Sequence, residues 1–409
     1  MVNTRWLQLG ASLVAMVMIA NLQYSWTLFV EPIQAARGWR LSEVQFAFTL
    51  FILCQVWTQP LDGWLVDRLG PRGFVSAAGL LCGFGWAGMG YTTSLPMLYL
   101  LYCAAGVGAA FVYSCSIGLA LKWFHDRRGL AAGILAAGFG GGTALFVPII
   151  ASIIETRGYQ AAFIASGLVQ GVVILVVAQV LRHPAGARPA PLRPAGAVSA
   201  VPRRQFRTLD MLRSPQFYMI YAMFVLMATG GLLVTANAGP MARSWGLTTA
   251  ALTLAATLSP LANGASRIFW GWISDRAGRE PVMIVAFALQ AVCLCLVALL
   301  GSRSAAWFTV TLMLVYFTWG QIFSLFPAIS GDYFGVRYAT SNYAVLYTAK
   351  GVASITGGWL GAVLFEQSGG WTSAFYGSAV MAAAAAVLAA ALYAADAPRR
   401  HLAGAAASR

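Results

Sequence analysis

Two basic residues stand where a charged group has no ordinary place. Of 26 lysines and arginines, only Arg267 and Lys350 fall well inside apolar runs. Arg267, in SRIFWGWISD, lies eight residues before Asp275, hence about 12 Å from the end of a helix rising about 1.5 Å per residue. Lys350, in LYTAKGVASITGG, is about twelve residues into its run, or about 18 Å deep by the same rise. Each costs about 2.5–3.5 kcal/mol at the centre of a bilayer, so each needs a compensating partner.

The obvious partner is a buried carboxylate. The twelve acids are Glu31, Glu43, Asp62, Asp67, Asp126, Glu155, Asp210, Asp275, Glu280, Asp332, Glu366 and Asp396, and all fall at the ends of apolar runs or between them. The three histidines (His125, His183, His401) also lie outside. The chemistry expected of two such cations is anion binding, with the substrate as the missing partner and a dianion the natural fit for two charges. The competing explanations are that backbone carbonyls satisfy them, that Arg267 snorkels to an interface, or that desolvation leaves Lys350 deprotonated.

The elements that must hold these cations are membrane helices. The chain is 59% hydrophobic and 9% charged with mean hydropathy +0.73, whereas a soluble domain carries about 25% charged residues. Twelve spans follow, at 8–30, 42–62, 73–92, 97–121, 129–154, 160–181, 216–238, 248–274, 280–300, 305–329, 338–365 and 372–395. Each is long enough to cross a hydrocarbon core of about 30 Å. The first is too long for a signal peptide and no small-residue cleavage site follows it. The fold class is all-α polytopic membrane protein. The six cysteines lie in apolar runs and read as small packing residues.

The Pro/Ala/Arg-rich stretch HPAGARPAPLRPAGAVSAVPRRQ (His183–Gln205) reads as a flexible linker. It divides the chain into a six-helix half over 1–182, a linker over 183–215, a second half over 216–396 and a tail over 397–409. With termini and linker on one side, that side holds nineteen lysines and arginines against five opposite (Arg37, Arg40, Arg157, Arg243, Arg303). This bias puts both termini in the cytoplasm and explains the net charge of +14 without nucleic acid.

An internal repeat supports the division. GWLVDRLGPR (Gly63–Arg72) follows the second span and GWISDRAGRE (Gly271–Glu280) the eighth, with Asp67 and Asp275 208 residues apart. Paired six-helix halves are a transporter design with the substrate near mid-membrane. The two copies resemble the loop signature of the major facilitator superfamily, G-x-x-x-D-R/K-x-G-R/K. Gly63, Asp67, Arg68, Gly70 and Arg72 match it first, with Pro71 interposed; Gly271, Asp275, Arg276, Gly278 and Arg279 match it second. The resemblance implies twelve helices in two pseudo-symmetric halves and loops that act as conformational latches.

Five further stretches, LQYSWTLF (Leu22–Phe29), KWFHDRRGLAAG (Lys122–Gly133), SRIFWGWISD (Ser266–Asp275), FTWGQIFSLFP (Phe317–Pro327) and NYAVLYTAKGVAS (Asn342–Ser354), together resemble the oxalate/formate antiporter family. The resemblance implies exchange of small carboxylates across the bacterial inner membrane, with Arg267 and Lys350 binding them. It also implies a cavity lined by Gln23, Tyr24, Tyr113, Phe139, Trp319, Phe323 and Tyr347. Tyrosine hydroxyls and the indole N–H can donate to a carboxylate while the rings exclude water. The chain departs from the pattern of oxalate exchangers at three positions: Phe139 and Phe323 replace tyrosine and Tyr347 replaces tryptophan. These leave room for a bulkier or less polar carboxylate.

The repeat adds Gln59, which precedes Asp67 by eight residues as Arg267 precedes Asp275. It either donates to the far end of the anion or hydrogen-bonds a helix break beside Pro60. Gly133, Gly138, Gly140, Gly141 and Gly142 before Pro148 read as close-packed gating architecture.

The mechanism these residues imply is alternating access with exchange of one anion for another, since an empty carrier must pass its gate with two unneutralised charges. The alternative is a proton-coupled monocarboxylate symporter or another organic-solute carrier of the same fold, which calls for a buried acid. A sensor would need a signalling domain, which the short stretch after Ala395 does not supply. An enzyme is disfavoured, as no metal-ligand cluster and no nucleophile–base pair is visible. The expected partners are a small organic anion and the lipid bilayer, with no cofactor, no metal and no nucleic acid, and a monomer as the working unit.

Overall fold

The computed structural model describes residues 2–124, 127–184, 205–335 and 338–395, without the side chains of residues 2, 3, 63, 64, 67, 68, 128 and 129. These residues are helical with short connections, and each expected span is found as helix. Nine stretches among them are long and apolar enough to cross a membrane. One of these, Leu130–Ala178, holds two spans that meet at Gly158, where φ is +84°. Spans eight and eleven, Thr249–Ala277 and the segment from Ala339 to Ser368, are helical but fall outside the nine. They are the two that carry Arg267 and Lys350, and their polar content is what lowers their hydropathy.

Several spans expected to be continuous are broken in the middle. Span one is two helices, Val2–Tyr24 and Trp26–Arg37; span two ends at Trp57, and a new helix, Gln59–Gly88, carries its last residues into span three. Span five passes from Arg128–Gly141 through a tighter turn, Gly142–Leu145, into Val147–Ala178. Span ten divides into Ala305–Trp319 and Ile322–Phe334, and span eleven into Ala339–Tyr347, Ala349–Ser354, a π-helical turn Ile355–Leu360 and Gly361–Ser368. A broken helix inside lipid leaves backbone groups that neighbours must satisfy. Asn237 Nδ2, on span seven, lies 3.4 Å from the carbonyl oxygens of both Gly357 and Gly358 in the π-helical turn. The Tyr221 hydroxyl meets Thr348 Oγ1 at 3.2 Å beside the break before Lys350.

Polar contacts near the ends of spans one, two, seven and eleven tie the first six spans to the last six. Glu366 accepts from the Ser42 backbone N–H and hydroxyl, both at 2.8 Å. Arg243 pairs with Glu31 at 3.4 Å, and Gln45 donates to the Ala236 carbonyl at 2.7 Å. A cleft of about 480 Å³ between Glu31, Glu155, Arg243 and Thr248 opens here and contains neither cation.

Residues 185–204 of the His183–Gln205 stretch lie outside the described residues, as does the tail from 396. The last ten residues of the expected linker are ordered against the second half. Thr208–Leu212 forms a short helix, Asn342 Nδ2 donates to the Phe206 carbonyl at 3.1 Å, and Thr208 donates to Asn342 Oδ1 at 3.1 Å.

Glycine is required where broken helices touch. A Cβ on Gly320 would lie 2.0 Å from Ser266 Oγ and 2.7 Å from the Asn263 carbonyl oxygen. Gly320→Ala is therefore expected to cost about 1–3 kcal/mol by overpacking, read as a lower unfolding midpoint of the purified protein. Gly133→Ala, whose Cβ would meet nothing within 4 Å, leaves the midpoint unmoved.

Candidate functional site

Arg267 and Lys350 meet over one aromatic ring. The Arg267 guanidinium carbon lies 4.1 Å from the centroid of Phe323 and the Lys350 ammonium 5.8 Å from it. Arg267 is 4% exposed and Lys350 is fully buried. Neither forms an ion pair within the described residues.

Their hydrogen-bond donors are met by neutral oxygens. Arg267 donates through Nε (3.2 Å) and Nη2 (2.9 Å) to Asn263 Oδ1, one helical turn earlier on the same span. Its Nη1 reaches the Ala136 carbonyl on span five at 2.9 Å, and Nη2 lies 3.5 Å from the Tyr24 hydroxyl. Lys350 donates to Gln23 Oε1 at 2.9 Å and to Gln55 Oε1 at 2.8 Å, both on the first six spans. The cations are thus hydrogen-bonded but not neutralised. An amide dipole satisfies a donor geometrically and carries no charge to cancel a cation.

The aromatic set gathers as expected. Phe139 packs edge-on to Tyr24 (5.8 Å) and Tyr113 (5.4 Å), with the Arg267 guanidinium 5.7 Å from its centroid. Tyr347 stacks on Tyr113 at 6.3 Å, meets Phe323 at 6.3 Å, and lies 5.6 Å from the Lys350 ammonium. Trp319 packs edge-on to Phe323 at 5.4 Å. Two buried N–H groups in this cluster, Trp319 Nε1 and Gln23 Nε2, have no protein acceptor. Buried donors in folded proteins are ordinarily paired, so these two are suited to an incoming anion.

The helix breaks fall on this cluster. Tyr24, Trp319 and Tyr347 each end a helix, and Gln55 lies two residues before the end of another. Gly140 lies one residue before the end of a fifth, and a Cβ there would lie 2.9 Å from Asn263 Oδ1 and 3.0 Å from Arg267 Nε, so a glycine admits the arginine. Unwound ends let side chains point into the middle of the bundle and supply unpaired backbone dipoles there. Of the span-five glycines, Gly140 touches the site, Gly138 and Gly142 pack against Leu13 and Val17 of span one, and Gly133 touches nothing within 4 Å.

The structure departs from the sequence reading at two positions and adds a third residue to it. Gln59, expected to donate to the anion or to the helix break beside Pro60, is half-buried as the first residue after that break, while Gln55, one turn earlier, accepts from Lys350 because the span-two helix runs only to Trp57. Asn263 was not anticipated at all, although its spacing of four from Arg267 was visible. The acids are not all peripheral: Asp62 is 2% exposed, accepts from the Ser114 hydroxyl, and leaves Oδ1 without a partner. The break at Thr58 puts Asp62 in the first turn of a helix, where the dipole favours a carboxylate.

In the second loop signature, Arg279 pairs with Asp275 at 2.6 Å and with Asp332 of span ten at 3.5 Å, while Arg276 stacks on Trp272 at 3.9 Å. In the first, the side chains of Gly63, Asp67 and Arg68 lie outside the described residues. Gly70 and Gly278, equivalent in the repeat, share an extended backbone with φ of +67° and +91°.

Comparison with known proteins agrees with the geometry. The Major Facilitator Superfamily model matches residues 11–238 and again 219–408. The chain is 39% identical over 380 residues to the oxalate:formate antiporter of Oxalobacter formigenes, covering 93% of this chain and 89% of that protein. It belongs to the oxalate/formate antiporter family of the major facilitator superfamily. Within that superfamily it is also similar to an uncharacterised MFS-type transporter of Escherichia coli, at 26% identity over 86% of each chain. Monocarboxylate transporter 12-B of Danio rerio is 25% identical over 78% of this chain and 72% of its own. The protein is a membrane transporter of this family and not an enzyme.

The amide under Arg267 gives a test that needs no substrate. Asn263→Leu leaves the guanidinium only the Ala136 carbonyl and the Tyr24 hydroxyl. The loss is expected to cost about 1–3 kcal/mol, measured as a lower thermal unfolding midpoint in detergent without added anion.

Proposed function

We propose that this chain exchanges small organic carboxylates across the bacterial inner membrane by alternating access, as a monomer with both termini cytoplasmic. Arg267 and Lys350 neutralise the bound anion. The observation that carries this reading is the pair of buried cations over Phe323 with only neutral oxygens around them. The unpartnered N–H groups of Gln23 and Trp319 add donors, and Tyr24, Tyr113 and Tyr347 add hydroxyls. The name and 39% identity of the Oxalobacter relative favour the same substrate class.

The transport cycle follows from charge. With a dianion bound the site is neutral, with a monoanion one of the two charges is cancelled, and the halves 1–182 and 216–396 rock about it. Without one, two cations must cross the occluded state on amide and carbonyl oxygens alone, which favours exchange over net flux. The Ser42–Glu366 and Glu31–Arg243 contacts are the external gate in this reading, and the Asp275–Arg279–Asp332 cluster is a cytoplasmic latch. Phe139 and Phe323 take two hydroxyls out of the cavity relative to the oxalate pattern, and Tyr347 is smaller than tryptophan. Together they favour a less polar or larger carboxylate over oxalate.

Asp62 favours a second reading, proton-coupled symport of a monocarboxylate, because its buried carboxyl group is the acid such a carrier needs. The two readings diverge under an imposed pH gradient.

Liposomes loaded with unlabelled oxalate, formate or a larger carboxylate are expected to take up the labelled anion by counterflow. Arg267→Gln and Lys350→Gln each lose a charge-assisted contact worth about 2–5 kcal/mol, a fall in uptake of at least about thirtyfold. Unchanged uptake in both variants removes the site assignment. Exchange also predicts that a pH gradient does not drive accumulation and that Asp62→Asn keeps counterflow. Accumulation driven by an inward proton gradient, and abolished in Asp62→Asn, selects the symport reading.

A further inference from the structure

The two cations are held by related amides. Gln55 and Asn263 are 208 residues apart, the interval that separates Asp67 from Asp275 and Gly70 from Gly278. They are therefore equivalent positions on spans two and eight, one in each half of the repeat. Asn263 Oδ1 takes two N–H groups of Arg267 from its own helix. Gln55 Oε1 reaches across to the other half and takes Lys350. Both amides are buried, Gln55 at 2% exposure and Asn263 at 0%. The equivalence does not extend to the cations themselves, since Gln59 is the counterpart of Arg267 and Gly142 that of Lys350.

We propose that Gln55 and Asn263 are stand-in acceptors, holding Lys350 and Arg267 in the empty carrier and surrendering them to the incoming carboxylate. This rests on the carboxylate-exchange reading and deepens it. A neutral oxygen suits the task because it satisfies a donor without cancelling its charge. A carboxylate in the same place would keep the cation permanently and compete with substrate. An apolar side chain would leave Lys350 with Gln23 alone. The strength of these acceptors thus sets how readily the empty carrier crosses the membrane, and so the ratio of net efflux to exchange. Gln55 matters more for gating because its bond joins the two halves, whereas that of Asn263 stays within one span.

The inference makes opposite predictions for two variants at one position. Liposomes containing the purified full chain are loaded with labelled oxalate, and parallel sets with labelled formate. Efflux is followed into anion-free buffer and into buffer containing the same unlabelled anion. Gln55→Glu gives Lys350 a resident counter-ion, so the ratio of net efflux to exchange rises at least about fivefold and half-saturation for the external anion rises at least about tenfold. Gln55→Leu removes the acceptor, so the same ratio falls at least about fivefold while half-saturation does not rise. A purely structural role lowers both fluxes together and leaves the ratio where it was. Monodispersity and the unfolding midpoint of each variant in detergent separate misfolding from altered transport. If a variant at Gln55 does not fold, Asn263→Asp carries the test through Arg267, with the ratio again expected to rise. Ratios that stay put, or move the same way in Glu and Leu variants, overturn the inference while wild-type exchange continues. A wild-type protein that exchanges neither anion overturns the carboxylate reading, and this inference with it.

Discussion

Everything in the centre of this protein is arranged around two positive charges that the protein itself does not neutralise. In water an arginine and a lysine cost nothing to keep apart. Inside a bilayer each draws in every available dipole, and here those dipoles are the side-chain oxygens of Asn263, Gln23 and Gln55, the Ala136 carbonyl and the Phe323 ring. These groups come from spans eight, one, two, five and ten, so apart from Asn263, a neighbour of Arg267 on its own span, the cations connect elements distant in sequence.

That demand explains the irregular backbone. A continuous helix presents side chains to its flanks and keeps its own backbone dipoles engaged. Ending helices at Tyr24, Trp57, Trp319 and Tyr347 turns side chains inward and leaves room for Lys350 to lie between the two halves. The breaks are tolerable because polar partners such as Asn237 and Tyr221 stand beside them, and because glycines at 140 and 320 let the broken ends approach span eight. Site and strain are therefore located together, as expected where irregular backbone lines a cavity.

The repeat is seen differently once the side chains are placed. In the loops it preserves the backbone, with Gly70 and Gly278 in the same unusual conformation. In the membrane it preserves an amide at Gln55 and Asn263 but puts charge on only one side of the duplication. One half contributes both cations, and the other contributes both of the oxygens that accept from Lys350.

Much of this was legible in the residues alone. Composition and run length determined a twelve-span membrane protein, because a chain with 9% charged residues cannot cover itself in water. The loop repeat determined the family, and the rarity of charge in the spans singled out Arg267 and Lys350 with their aromatic neighbours. Those features are local or countable. What only the tertiary structure decided was which neutral groups face the cations. The repeat singled out Gln59 by counting back from Asp67 across a helix that in fact ends at Trp57, and run length placed Asp62 at a periphery from which the new helix carries it inward. Gln55 and Asn263 are ordinary amides in any window of sequence. They acquire meaning from a distance of 2.8 or 2.9 Å to a charge, on another part of the fold for Gln55 and one turn along the same helix for Asn263, and no one-dimensional pattern encodes where a broken helix will point.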